Sequence, residues 1–189
     1  MIGIDLTKAQ FETKRLILSP LRLEDEDDLL EYQSDPDTVR YIPWPARTRI
    51  QVREALEKAV APRTFEVTND YLLFAWRLKD SGKVIGQSNI SIQTVEHKTG
   101  EIGWVVHPSF AGAGYAKEAT SGLIDFAFGT AGLRRLVAYM DQRNEASARL
   151  AESLGMRREA AYIKDELFKG EWCNSYLYAI LSEEWRPAH

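Results

Sequence analysis

Hydrophobic and polar positions change their spacing several times along the chain, and each change marks a predicted element. Apolar runs bounded by turn residues predict strands near residues 15–18, 71–78, 84–92, 101–106, 133–139, 159–163 and 174–181. Apolar residues three and four positions apart predict helices near 24–32, 48–61, 115–127 and 144–154. Pro62 is expected to end the second helix, because proline cannot continue it. This order predicts an α/β (α+β) fold with a mixed central sheet of about seven strands flanked by helices.

No stretch of the sequence divides the chain into parts. There is no internal repeat, low-complexity tract or linker, and 189 residues is the length of one domain. We therefore expect residues 1–189 to form a single domain, large enough to bury its own core without disulfides or metals.

Charge and composition argue against several function classes. The net charge is -4, whereas proteins that bind nucleic acid through its phosphates are usually basic. No apolar run approaches the roughly 20 residues that span a bilayer, and residues 1–6 lack the basic start of a signal peptide. Cys173 is the only cysteine, expected to be an incidental buried thiol, and this usage suits a reducing compartment. We expect a cytoplasmic protein without a nucleic-acid or membrane partner.

Five consecutive acidic residues, 24–28, raise the question of a metal site. Consecutive residues on a helix do not face one point, whereas acidic residues are favourable in the first turn of a helix. We therefore interpret the run as the solvated start of the first helix and expect no metal site.

The most informative change of period lies between residues 101 and 119. Residues 102–106 are strand formers, and Pro108 ends the strand because it cannot donate to a ladder. A helical pattern begins at Tyr115, so residues 111–114, Ala-Gly-Ala-Gly, connect a strand to a helix. The free N–H groups and the dipole of a helix N-terminus attract anions. We expect this turn to bind an anion, and phosphate is the anion that such turns commonly hold.

The turn matches neither of the two best-known phosphate-binding patterns. A P-loop has four residues between its glycines and then Gly-Lys-Ser/Thr. A dinucleotide fingerprint has a third glycine, which would stand where this chain has Lys117. A tight strand-to-helix connection without a ligand is the alternative that the two glycines leave open.

Together with a second segment, the turn resembles the GNAT superfamily of CoA-dependent N-acyltransferases. The family's phosphate loop, Gln/Arg-x-x-Gly-x-Gly/Ala, matches Gly114 and Ala116, although its first position here is Ala111. The family's Asn-x-x-Ser/Ala-x-x-Leu-x-x-x-Gly matches Asn144, Ser147, Leu150 and Gly155. Segments 13–21, 101–104 and 176–185 are similar to the RimJ/RimL-like branch, which acetylates N-terminal amines of ribosomal proteins.

The resemblance implies acetyl-CoA as the acyl donor, without a metal. The strands ending at Val106 and Tyr139 would splay apart to admit the pantetheine arm. The residues expected to bind the cofactor are Val105, Val106, Gly112, Ala113, Gly114, Tyr115, Ala116, Lys117, Asn144 and Ser147. The turn would hold the pyrophosphate, and the Val105 N–H would stabilise the developing oxyanion, a contact typically worth about 3 kcal/mol. Ordinary pairing of Val105 and Val106 with the next strand is the alternative.

Glu101 and Ser147 are the catalytic candidates. Glu101 opens the central strand, and the resemblance implies that a glutamate here removes the amine proton directly or through water; a surface carboxylate is the alternative. Ser147 lies on an otherwise apolar helical face, and the resemblance implies contact with the CoA sulfur. The family's usual tyrosine donor is replaced by Ala151. A serine bonded back to a helix carbonyl is the alternative.

Three further interpretations concern the surroundings of this site. Asn144 is expected to cap the following helix, and the resemblance implies that it also bonds the pantetheine. Tyr41 and Trp44 are expected to wall the acceptor pocket, with loop aromatics that close the core as the alternative. Trp104 and Tyr139 are expected in the core.

The sequence thus predicts an N-acetyltransferase that acts by direct attack in a ternary complex, with a peptide N-terminal α-amine as acceptor. An α-amine of pKa about 8 is roughly a tenth neutral at pH 7, whereas lysine near 10.4 is neutral only a few times in ten thousand. A lone glutamate therefore suits an α-amine better. A small-amine acetyltransferase and a CoA-binding sensor without turnover are the alternatives, and the protein is expected to be a monomer or a homodimer.

Overall fold

The computed structural model describes residues 9–61 and 64–187. Two expectations fall outside the described residues, namely the absence of a signal peptide in residues 1–6 and the helix stop at Pro62. None of the helices in the described ranges is long and apolar enough to cross a membrane.

Within those ranges eight strands form one continuous sheet, close to the seven that the sequence predicts. They are β1 (Phe11–Glu12), β2 (Leu16–Pro20), β3 (Tyr71–Leu78), β4 (Val84–Thr94), β5 (Thr99–Val106), β6 (Arg135–Asp141), β7 (Arg157–Phe168) and β8 (Glu171–Leu181). Their order across the sheet is β1-β2-β3-β4-β5-β6-β8-β7. Neighbouring strands are antiparallel except β5 and β6, which are parallel. The additional strand is β1, whose two residues are too few to give a sequence pattern.

The predicted α/β character is confirmed by four helices that flank the sheet. They are α1 (Glu26–Gln33), α2 (Arg49–Ala59), α3 (Tyr115–Asp125) and α4 (Glu145–Ser153). A π-helical turn at Phe126–Thr130 continues α3. Both predicted closing strands proved too short, because β7 and β8 extend into a hairpin whose residues are mostly exposed and therefore carry no apolar pattern.

The helices pack on opposite faces of the sheet, which the alternation of side chains along β3 makes visible. Phe74 and Trp76 belong to a large cluster with Leu123 of α3 and Ala151 of α4. Ala75, between them in sequence, belongs to a second cluster that is formed with α1 and α2. Successive strand residues point to opposite faces, so α1 and α2 cover one face and α3 and α4 cover the other.

The central strands β5 and β6 separate part of the way along, as the sequence resemblance implied. Their parallel pairing covers only three residues of each strand, and the last pair joins Glu101 to Val137. Beyond that pair, β5 continues to Val106 and β6 to Asp141 without pairing to each other. The sheet therefore contains a V-shaped gap that opens from Glu101.

The interpretation of residues 24–28 as a solvated helix start is wrong for Asp25. Its side chain is buried and accepts hydrogen bonds of 2.5 and 2.7 Å from the two terminal nitrogens of Arg77, which is also buried. A buried charge is tolerated when it is paired and hydrogen-bonded. The sequence contains both residues but not their proximity, which arises because β3 passes under the start of α1.

Candidate active site

Glu101 lies at the vertex of the gap, where β5 and β6 part. Its Oε2 accepts a hydrogen bond of 2.8 Å from the side-chain amide of Gln93. Burial raises the pKa of Glu101, and the negative charge of Glu166 raises it further. A carboxyl group with a raised pKa is better matched to proton transfer near neutral pH than an ordinary glutamate.

Beyond Glu101, the two edges of β5 have different partners. The His107 N–H, just after the strand, donates to the Ile85 carbonyl at 2.8 Å. Peptide groups alternate in direction along an extended strand, so those of Val105 also face β4. Those of Trp104 and Val106 face the gap. The oxyanion donor expected at Val105 is therefore better sought in the N–H groups of these two neighbours.

Side chains on the two faces of β5 also serve different parts of the gap. Val105 packs in the cluster of α1 and α2, and by the two-residue period Glu101 shares that face. Trp104 packs against the cluster of α3 and α4, and its indole N–H donates to Ser147 Oγ at 3.3 Å. The gap therefore connects a compartment under α1 and α2 with one beside α4.

The expectation that Trp104 and Tyr139 are core residues is wrong for Tyr139, whereas Trp104 packs against the core cluster from its edge. Trp104 is only partly buried, Tyr139 is 51% exposed, and both line the same cavity. Both strands lose their neighbour where they diverge, so side chains that would be covered in a continuous sheet face open space. The strand pattern could not indicate this, because it depends on where pairing stops.

Helix α4 presents its first turn to the gap. The expected cap is confirmed, because Asn144 Oδ1 accepts a hydrogen bond of 3.1 Å from the Ser147 N–H. Across the described part of the chain, Ser147 Oγ has its hydrogen bond with Trp104 and none with a helix carbonyl. The serine hydroxyl therefore faces β5 rather than its own helix.

The glycine turn after β5 has the geometry of an anion site. Gly112 and Gly114 have φ angles of 75° and 82°, in the left-handed region that favours glycine. Gly114 is the N-cap of α3, and the Glu118 N–H donates to the Gly114 carbonyl. Helix geometry therefore leaves the N–H groups of residues 115–117 without an intrahelical acceptor. The turn from Ala111 to Gly114 is exposed, and so is Lys117, whereas Tyr115 and Ala116 are half-buried.

Arg15 is a functional candidate that the sequence reasoning missed. Its Nη1 donates to the Ala113 carbonyl at 3.1 Å, and its guanidinium lies 3.9 Å from the centre of the Tyr115 ring. Its Nε donates to Glu118 at 2.7 Å. Burial acts to raise the pKa of Glu118, but hydrogen bonds from Thr13 and Arg15 lower it below its usual value.

The position of Arg15 compensates for a departure in the sequence. The family pattern places Gln or Arg at the first position of the loop, where this chain has Ala111. Arg15, immediately before β2 and far from Ala111 in sequence, brings a cation to the same turn. Its Nη2 is 3.6 Å from where a Cβ at Gly114 would lie. Only the fold could reveal this, although an arginine beginning a strand was visible in the sequence.

A cavity of about 590 Å³ occupies the other part of the gap. It brings together predicted residues from three separate regions, namely Tyr41, Trp44, Glu101, Val105, Asn144 and Ser147. The expected cofactor residues Val106, Gly112, Ala113, Gly114, Tyr115, Ala116 and Lys117 do not line it. The anion turn and the acceptor cavity are thus two parts of the site.

One long-range contact and one local contact hold the loop of Tyr41 and Trp44 beside this cavity. Lys169, in the turn between β7 and β8, donates to the Val39 carbonyl at 2.7 Å. Arg47 lies over the Trp44 ring at 4.4 Å. The indole N–H of Trp44 is buried with no hydrogen-bond partner within residues 9–61 and 64–187. No group of three or more His, Cys, Asp or Glu in those ranges could hold a metal ion.

Comparison with known proteins agrees with this geometry. Residues 15–157 match the family model described as "Acetyltransferase (GNAT) domain". The "Uncharacterized N-acetyltransferase YnaD" of Bacillus subtilis is 32% identical over 173 residues, covering 92% of this chain and 97% of that protein.

Solved structures show the same fold. A GNAT-family acetyltransferase from Bacillus anthracis has a TM-score of 0.84 and 31% identity, with 93% of this chain and all of that chain covered. A spermidine N-acetyltransferase from Vibrio cholerae, solved with CoA and spermine, has a TM-score of 0.75 over 90% of this chain and 97% of its own. At 17% identity, that second likeness concerns the fold alone.

Proposed function

This chain belongs to the GNAT acetyltransferase family, and we propose that it transfers an acetyl group from acetyl-CoA to a peptide N-terminal α-amine. The single observation that carries the proposal is the gap between β5 and β6, with Glu101 at its vertex and a glycine turn beyond its open side. Similarity of the chain ends to the RimJ/RimL-like branch supports this acceptor.

We propose that the glycine turn holds the pyrophosphate of CoA. The residues assigned to this part are Gly112, Ala113, Gly114, Tyr115, Ala116 and Lys117, together with the guanidinium of Arg15. The backbone fits an anion because the N–H groups at the start of α3 have no intrahelical acceptor and no Cβ narrows the approach at either glycine. Acetyl-CoA supplies the activated thioester.

Along the gap, the free edge of β5 is assigned to the pantetheine amides and the oxyanion. Trp104 and Val106 turn their peptide groups toward the gap, and an amide chain there would bond as an added strand does. Val105 would contribute its side chain to the wall. Asn144 and Ser147, at the start of α4, are assigned to the opposite side, with Ser147 near the sulfur.

We assign the proton-removing role to Glu101. Its raised pKa supports this role, because the base must take a proton from the ammonium and release it to water. Tyr41 and Trp44, in the same cavity, would position the acceptor. Since the donor and acceptor compartments meet at the gap, attack can be direct in a ternary complex.

The remaining proposals concern the domain, the cellular location and the oligomeric state. We propose that residues 1–189 act as one domain, as the continuous sheet suggests. A single cysteine, buried and unpaired, supports a cytoplasmic location. We retain a monomer or a homodimer as the state in solution.

Two alternatives keep the fold but change the activity, and one assay separates all three. Free thiol released from acetyl-CoA is measured with a panel of short peptides, their N-terminally blocked forms, amino acids and polyamines. We expect release with free peptide N-termini and none with blocked ones. Release with small amines alone would establish the small-amine alternative instead. CoA binding by calorimetry without release for any amine would establish a sensor.

A further inference from the structure

Arg47 is a half-buried cation held firmly in the wall of the acceptor cavity. Its backbone N–H donates to the Gln33 carbonyl at 2.9 Å, and its Nη1 donates to Gln33 Oε1 at 2.8 Å. Its guanidinium lies over the Trp44 ring. The side chain is thus positioned before any ligand arrives.

The charge of Arg47 has no carboxylate partner among the described residues. Of its five N–H donors, one is used by Gln33. Burial acts to lower its pKa, so the charge is held there at a cost in free energy. Arg77, by contrast, is buried with Asp25 as a bidentate partner.

The charges that line the cavity disfavour a polycationic acceptor. Its lining contains two basic side chains, Arg47 and Lys58, and one acidic side chain, Glu101. Glu101 can receive the single ammonium that is to react. A polyamine would bring further positive charges toward Arg47, and like charges repel.

We propose that Arg47 binds a carboxylate of the acceptor, so that the acceptor is an amine that also carries a carboxylate. This inference rests on the acetyl transfer of the proposed function and narrows the acceptor class of the same site, for a peptide as for the small-amine alternative. The planar guanidinium suits a carboxylate because it can donate two parallel hydrogen bonds. The carboxylate has two sources, a free amino acid or a peptide with an acidic group near its N-terminus.

The experiment compares acceptors that differ only in this charge. The arms are amino acids against their carboxamides, and peptides with Asp or Glu against the same peptides with Asn or Gln. For the wild-type protein we expect kcat/KM about 10- to 100-fold higher for the carboxylates, the worth of one charged hydrogen-bonded pair. The arm with the larger difference identifies the source, and equal values in both arms would overturn the proposal.

Variants attribute the preference to Arg47. In Arg47→Gln we expect the preference for carboxylates to disappear because KM for the carboxylates rises, while kcat for the carboxamides is retained. In Arg47→Lys we expect part of the preference to remain. The matched control is Arg49→Gln, which removes the same charge from an exposed residue that pairs with Glu26 and Asp27 outside the cavity. A preference that survives Arg47→Gln, or is lost equally in Arg49→Gln, would overturn the assignment.

A second readout does not depend on turnover. Calorimetry would compare binding of an N-acetylated amino acid with that of its carboxamide, to wild type and to Arg47→Gln. Tighter binding of the acid to wild type alone supports the proposal, and equal binding contradicts it. If no amine is acetylated at all, the proposed function fails, and this measurement still decides the role of Arg47.

Discussion

The glycine turn and the acceptor cavity differ in what supplies their chemistry. The turn offers backbone N–H groups from a continuous stretch around Gly112 and Gly114. The cavity is assembled from side chains, including Trp44 in a loop, Glu101 on β5 and Ser147 on α4. One region is local in sequence, and the other exists only after folding.

That difference has a consequence for how each region responds to mutation. Substitutions other than proline leave the backbone donors in place, so the turn is vulnerable mainly where a new side chain changes its shape or access. Side chains in the cavity can be removed one at a time. We therefore expect steric variants to have their larger effect at the cofactor end and charge variants to have theirs at the acceptor end.

The largest effect is expected from Gly114→Val. A β-branched residue at φ 82° is strained, and its side chain would enter the place assigned to the phosphate. Because several charged hydrogen bonds would be lost, we expect calorimetry to show CoA affinity about 100-fold weaker or worse. The control is Gly82→Val in the β3–β4 turn, where φ is 75° and no atom lies near a new Cβ. Equal CoA affinity in the two variants would show that the turn does not bind the phosphate.

The next largest effect is expected from Glu101→Gln, which acts at the acceptor end. We expect kcat/KM at neutral pH to fall about 100-fold, and to fall less at high pH, where the amine loses its proton unaided. A pH–rate profile checks this. The same loss at every pH would exclude Glu101 as the base.

Measuring the free energy of unfolding distinguishes a loss of catalysis in Glu101→Gln from misfolding of the variant. Because the pKa of Glu101 is raised in the folded state, ionisation favours the unfolded state. The stability that wild type has relative to Glu101→Gln should therefore be fully present below pH 4.5, which is the ordinary pKa of a glutamate. It should fall as the pH rises through the raised pKa of the folded state. Chemical denaturation at several pH values checks the sign, and a relative stability that rises with pH would contradict it.

A smaller effect is expected from Arg15→Gln, which tests the cofactor end by charge. We expect CoA affinity to fall about 10-fold, the worth of one charged hydrogen bond, with the acceptor KM unchanged. Glu118→Gln is the matched control, because it breaks the Arg15 ion pair but keeps the guanidinium. We expect it to lower stability and spare CoA affinity. Equal losses of affinity in both variants would assign Arg15 a purely structural role.

The smallest effect is expected from Glu166→Gln, in the exposed hairpin. The charge of Glu166 raises the pKa of Glu101, so removing it should move the acidic limb of the pH–rate profile to lower pH without changing the plateau. High salt should reproduce part of the shift in wild type, because exposed charges are screened. An unmoved limb would show that burial alone sets this pKa.

The sequence predicted the elements well where a local pattern exists. The helix cap at Asn144 and the left-handed glycines of the turn follow from residue type and position. It failed where burial or exposure depends on distant residues. Asp25 was taken for a solvated acid because Arg77 is 52 positions away, and Tyr139 was taken for core because the end of strand pairing leaves no mark in the sequence.

By itself, the sequence determined the order of strands and helices, the family, and a turn with two glycines at the N-terminus of a helix. Those features depend on spacing and on backbone freedom, which residues close in sequence decide. Only the tertiary structure decided that Arg15 reaches the turn in place of Ala111, and that Arg47 lies in a cavity with Glu101 without a carboxylate partner among the described residues. Electrostatic partners are chosen by proximity in space, and proximity between distant segments arises only when the sheet is assembled.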